Sequence, residues 1–160
     1  MHRTQIDLPE ELRRKAIQLL NARLADALDL SLQTKQAHWN VKGPSFIALH
    51  ELFDSVTDLV RDQSDEIAER ITALGGIAEG TLAVVAQRTQ LQAYPLDAVT
   101  GKSHVTALSA ALAAYGKLVR AAIDQSDELG DAGTADLFTG ISRAIDKQLW
   151  FVEAHIQAEA

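Results

Sequence analysis

The chain is 160 residues long, carries a formal net charge of −7 and contains no cysteine. That length makes one domain with a sizeable core, and the missing cysteines exclude disulfides, thiolate metal sites and cysteine nucleophiles. Basic residues are scattered, with "RRK" at 13–15 the densest cluster, which excludes the basic stripe or arm that neutralises a run of phosphates.

Ala and Leu dominate and Pro totals 3, a composition that predicts a mostly helical chain. The first helix starts at "DLPEE", after a short extension over residues 1–8. There Asp7 is placed to cap, Pro9 lies in the opening turn and Glu10 completes a box-like D-x-x-E. This helix runs to about His38 and ends before "NVKGP". The second begins after Pro44 and Ser45 and stops at Gly75 and Gly76, a strong helix end. Residues 77–102 form a long connection in which "TLAVVAQ" adds a small helix. The third helix runs from near Ser103 to Leu129, closed by Gly130, and the fourth starts around Thr134 and continues to the C-terminus. Two helices, a long crossover and two more helices predict an all-α, ferritin-like four-helix bundle in a single domain over 1–160.

No stretch approaches the roughly 20 apolar residues of a membrane span. "MHRTQIDLPEELRRK" lacks an apolar signal-peptide core, so a cytoplasmic location is expected. A metal would have to be held by His, Asp and Glu, which favours iron, manganese or zinc.

The second helix carries two faces. Projected at about 100° per residue from His50, the apolar residues Leu49, Leu52, Phe53, Val56, Leu59, Val60, Ile67, Ile71 and Leu74 fall in one arc, the core face. His50, Asp54, Asp65 and Glu69 fall at about 0°, 40°, 60° and 100°, a polar stripe on the other side. A solvated face is the plain reading of such a stripe. Against it, the residues form two i,i+4 pairs, the spacing at which two side chains share one ion. Asp54 and Asp65 are about 16 Å apart along one helix, too far to share a metal within a chain. An antiparallel second copy, with a two-fold axis between Leu59 and Val60, places residue i opposite residue 119 minus i. Residue 54 then meets 65 and 50 meets 69, making two identical sites per dimer. His38 ends the preceding helix within reach of the His50 end. Two histidines and three carboxylates from two chains make an oxygen-rich site suited to iron.

"TKQAHWNVKGPSFIALHELFD", then D-x-x-x-E-R over 65–70 and "LGG" at 74–76, resembles the Dps proteins, or miniferritins. "YPLD", "TADLFT" and "DKQLWF" extend the likeness along nearly the whole chain. The resemblance implies a hollow homododecamer that oxidises Fe(II) with hydrogen peroxide or O2 and stores the ferric mineral, with iron as the metal. It assigns His38, His50 and Asp54 to one subunit's ligands, Asp65 and Glu69 to those of its two-fold partner, and Trp39 to an electron relay beside the centre. Packing alone is the other reading of Trp39. Asp127, Asp131 and Asp136 would line three-fold pores through which iron enters, although helix capping would also explain Asp131 and Asp136. Larger ferritins instead use E-x-x-H motifs inside one bundle. Here residues 35, 47, 101 and 152, each three before a histidine, are Lys, Ile, Gly and Val. That disfavours an intra-subunit centre.

The likeness departs from the family's DNA-condensing members, which carry lysine-rich tails. The N-terminal extension is nearly uncharged and "VEAHIQAEA" has no Lys or Arg, so DNA binding is expected to be weak or absent. Protonation of His2 would add affinity only at lower pH. Three functions are therefore weighed: a ferroxidase and iron store, a nucleoid-associated DNA-condensing protein, and a scaffold whose stripe is a polar interface. Of the two remaining histidines, His104 near a helix start is expected to be exposed, and His155 near the C-terminus to be a surface or packing residue; neither is assigned to a site.

Overall fold

The structure, a computed structural model, describes residues 1–159. Five α-helices account for most of it: α1 (Glu10–Asn40), α2 (Phe46–Ala73), α3 (Leu82–Arg88), α4 (Gly101–Leu129) and α5 (Ala132–Glu153). Four long helices form the bundle, with α1 packed along α2 and α4 along α5, while α3 in the crossover lies on α1. No strand occurs among the described residues; a single backbone bridge joins Lys42 to Thr100. No described helix is long and apolar enough to cross a membrane.

The core follows the helical periodicity of the sequence. Leu49, Phe53, Val56, Val60, Ile67, Ile71 and Leu74 of the predicted inner face are buried, each contributing about 1.5–3 kcal/mol as a buried side chain. Leu52 and Leu59 are only half-buried, so the apolar arc of α2 extends beyond what the bundle covers. Inside the bundle, Thr34 and Thr57 satisfy each other at 2.8 Å. Asp26 forms an ion pair with Arg23 at 2.9 Å and accepts from the backbone N–H of Gln90 at 2.7 Å. The second contact ties the crossover to α1. Burial pushes the Asp26 carboxyl up despite these partners, the usual cost of desolvating a charge.

The helix ends explain where the expected boundaries moved. α1 begins at Glu10 with Pro9 in the cap position and no side-chain cap, so Asp7 does not cap it. The extension instead runs back to the end of α2: the His2 N–H donates to the Gly75 carbonyl at 2.7 Å. Arg13 donates to the carbonyls of Leu8 and Leu74 at 3.1 and 2.9 Å. A Cβ on Gly75, whose φ is +87°, would lie 2.5 Å from the His2 carbonyl oxygen; this turn requires glycine. α4 starts at Gly101 rather than Ser103 because the Thr100 hydroxyl accepts the Ser103 N–H at 3.1 Å and caps the helix. α5 starts at Ala132 because Asp131 caps it.

Candidate functional site

The turn between α1 and α2 places two histidines face to face. His38 in the last turn of α1 and His50 in the first turns of α2 stack with ring centroids 3.7 Å apart. Each ring is fixed by the other residue's backbone. His38 Nδ1–H donates to the His50 carbonyl at 2.7 Å, and His50 Nδ1–H donates to the His38 carbonyl at 2.8 Å. A carbonyl can only accept, so each Nδ1 carries a proton in this arrangement, and Nε2 is the ring nitrogen left to face an ion. Pinning one ring nitrogen to a carbonyl while the other is left for an ion is how metal-binding histidines are oriented. "HWNVKGPSFIALH" is therefore a device for holding two imidazoles parallel.

Asp54 lies one helical turn beyond His50. Its carboxylate forms an ion pair with Lys35 of α1. The hydrogen bond from the Lys35 ammonium holds the Asp54 carboxyl below the ordinary carboxylate range. Lys35 was not anticipated as part of the site, although it lies three residues before His38 in "TKQAH" and hence on the same face of α1. The Lys35 ammonium occupies the position beside Asp54 that a cation would take.

Asp65 and Glu69 lie further along α2 and are exposed. Asp65 borders a groove shared with Leu24 and Leu28 of α1 and with Ala78 and Gly80 of the crossover. Among the described residues of one chain, no three His, Asp or Glu side chains converge to hold a metal ion. The five candidate ligands thus divide into His38, His50 and Asp54 at one end of the α2 stripe and Asp65 and Glu69 toward the other. Trp39 projects outward beside His38 with 65% of its surface exposed, so within the chain it fills no packing role.

Two further expectations need correction. Asp131 does not face a pore, being 1% exposed. It accepts from Arg70 at 2.7 Å and from the Thr134 N–H at 3.0 Å, joining the start of α5 to the end of α2. Asp127 and Asp136 are exposed. His104 is 1% exposed because the "YPLD" segment folds over the start of α4 and Tyr94 bonds the His104 Nδ1 at 2.5 Å. Burial lowers its pKa below the ordinary 6.5. His155 is exposed and bonds the Phe151 carbonyl.

A ferritin-like domain model matches residues 17–159. The DNA protection during starvation protein of Agrobacterium fabrum is 48% identical over 159 residues, 99% of this chain and 98% of that protein. This chain belongs to the Dps family of ferritin-like proteins. Two solved Dps structures agree with its fold. The Mycobacterium smegmatis Dps in its tetragonal form superposes with a TM-score of 0.92 at 32% identity, over 96% of this chain and 94% of that one. Dps from Microbacterium arborescens in its high iron form superposes with a TM-score of 0.85 at 36% identity, over 91% and 95%. The Dps fold thus accounts for the long crossover, while the stacked histidine pair is read from this chain's own geometry.

Proposed function

We propose that this protein is a ferroxidase and iron store, its metal centres shared between subunits across the two-fold axes of a homododecamer. The reciprocal pinning of His38 and His50 beside Asp54 carries the reading: it is a half-site of nitrogen and oxygen donors built to receive a cation. The antiparallel register that sets residue i against 119 minus i supplies Asp65 and Glu69 from the partner. The high iron form of the Microbacterium arborescens Dps supports iron as the metal.

Fe(II) is the substrate. It is drawn toward the shell by exposed carboxylates, among them Asp127 and Asp136, which raise the local concentration of a divalent cation. At the interface, Nε2 of His38 and His50 and the carboxylates of Asp54, Asp65 and Glu69 bind it, Asp54 exchanging Lys35 for the metal. Two Fe(II) ions each give up one electron to hydrogen peroxide; the O–O bond breaks and, with two protons taken up, two waters form. Dioxygen serves as a slower oxidant. Trp39, exposed beside His38, is placed to supply a single electron when only one iron is bound. Fe(III) then moves inward and mineralises.

Consuming Fe(II) and peroxide together removes the reagents of hydroxyl-radical formation, so protection follows without contact to DNA. The name of the Agrobacterium relative speaks of DNA protection, and nucleoid condensation is the competing reading. A net charge of −7 opposes phosphate binding at physiological salt. A gel shift showing tight, salt-sensitive DNA binding near neutral pH would overturn that part. The reading as a whole is tested by loading wild type and Asp54→Asn/Glu69→Gln with Fe(II) anaerobically and adding hydrogen peroxide. Rapid formation of soluble ferric mineral in wild type only is expected; equal rates would reject the site.

A further inference from the structure

The α2 stripe also carries Asp58 and Arg61, which the metal centre does not use. Asp58 and Arg61 lie at about 80° and 20° on the projection from His50, between Asp54 and Asp65. Both are exposed. Arg61 lines the groove with Asp65, Leu24 and Leu28. Its own helix offers Asp58 three residues before and Asp65 four residues after, yet Arg61 forms no ion pair among the described residues. Several other basic side chains are committed: Arg14 to Glu10, Lys35 to Asp54, Arg70 to Asp131, Arg88 to Glu79 and Arg120 to Asp146. The free guanidinium sits in the middle of an acidic face.

The two-fold axis gives this placement a purpose. Under the relation that sets 54 against 65 and 50 against 69, residue 58 falls opposite residue 61. We propose that Arg61 is a positioning residue: it crosses the axis to pair with the partner's Asp58, and the symmetric pair forms on the other side. The occupant of this face is therefore a second copy of the chain, chosen by self-complementary charge. Closing the interface without Arg61 would bring together Asp54, Asp58, Asp65 and Glu69 from both copies, an arrangement that repels itself before metal arrives. Of the two arginines on α2, Arg70 is held at Asp131, which leaves Arg61 as the stripe's own counter-charge. The pair sets the register in which one chain's histidines meet the other's Asp65 and Glu69.

This inference rests on the interfacial reading of the metal site, and its test is separable from that reading. Asp58→Arg, Arg61→Asp and the double exchange Asp58→Arg/Arg61→Asp are compared in metal-free buffer by sedimentation over a dilution series. Each single reversal sets like charges against each other and is expected to weaken self-association roughly tenfold or more. The double exchange restores opposite charges in the same register and is expected to recover wild-type association to within about threefold. Co(II) titration, followed by its visible absorbance, adds a readout of positioning: Asp58→Arg loses tight Co(II) binding and the double exchange regains it. Single reversals that associate like wild type would overturn the pairing, as would a double exchange no better than the worse single. If the exchange series behaves as expected while Asp54→Asn/Glu69→Gln oxidises iron normally, the pairing stands and the ferroxidase assignment alone fails.

Discussion

Replacing Asp131 with Ala separates a pore-lining role from a structural one. The side chain is 1% exposed, and the Arg70 side chain that meets it is 25% exposed. It accepts from the Arg70 guanidinium at 2.7 Å and from the Thr134 N–H at 3.0 Å. Loss of the cap costs about 1 kcal/mol, and loss of a charge-assisted hydrogen bond in a partly buried place costs about 1.5–3 kcal/mol. Asp131→Ala should therefore destabilise the protein by about 3 kcal/mol. For a chain of this size that lowers the midpoint by roughly 6–12 °C, measured by thermal denaturation at fixed protomer concentration because subunit association also contributes. Asp131→Asn keeps an acceptor for the Thr134 N–H and should lose about half as much. Asp127→Asn and Asp136→Asn, at exposed positions, should stay within about 0.5 kcal/mol of wild type while slowing Fe(II) uptake. An Asp131→Ala variant that melts with wild type but takes up iron slowly would refute the reasoning.

Other outcomes follow from the same geometry. Lys35→Met removes the cation that competes for Asp54, and since the pair is partly exposed the gain is small: Zn(II) or Co(II) should bind about 2–5-fold tighter by calorimetry. Burial keeps His104 neutral in the folded chain below its ordinary 6.5, so on acidification the unfolded state binds a proton that the native state does not. Stability should fall as pH drops below about 6.5, and His104→Gln should flatten that slope in urea titrations. Phe53→Ala empties a fully buried position and should cost about 3–5 kcal/mol, read from the denaturation midpoint.

The order and extent of the helices were legible because their punctuation is local. Gly75 and Gly130 take positive φ at the ends of α2 and α4, and periodic Leu, Val and Ile mark one face of α2. The proposed two-fold pairing rests on spacing along one helix alone. Long-range contacts were not legible. His104 looks like a polar residue at a helix start until Tyr94 folds over it, and Asp131 looks like a first-turn acid until Arg70 arrives from a residue 61 positions away. Asp7 does not cap α1, whose cap position is Pro9, and the extension is tied instead to Gly75 through His2, a long-range contact that local pattern does not reveal. Lys35 was within local reach, since its spacing from His38 put it on the site's face.

Subunit complementation tests the shared centre most directly. His50→Asn/Asp54→Asn disables the half-site that each chain offers at one end of α2, and Asp65→Asn/Glu69→Gln disables the other half. Each variant alone should oxidise Fe(II) slowly with peroxide. When the two are dissociated, mixed in equal amounts and reassembled, half of the interfaces join unlike chains, and each of those holds one intact centre and one doubly impaired centre. The mixed protein should regain about a quarter of the wild-type initial rate. If the centre were built within a single chain, mixing would restore nothing, and a rate no higher than that of the separate variants would contradict the account.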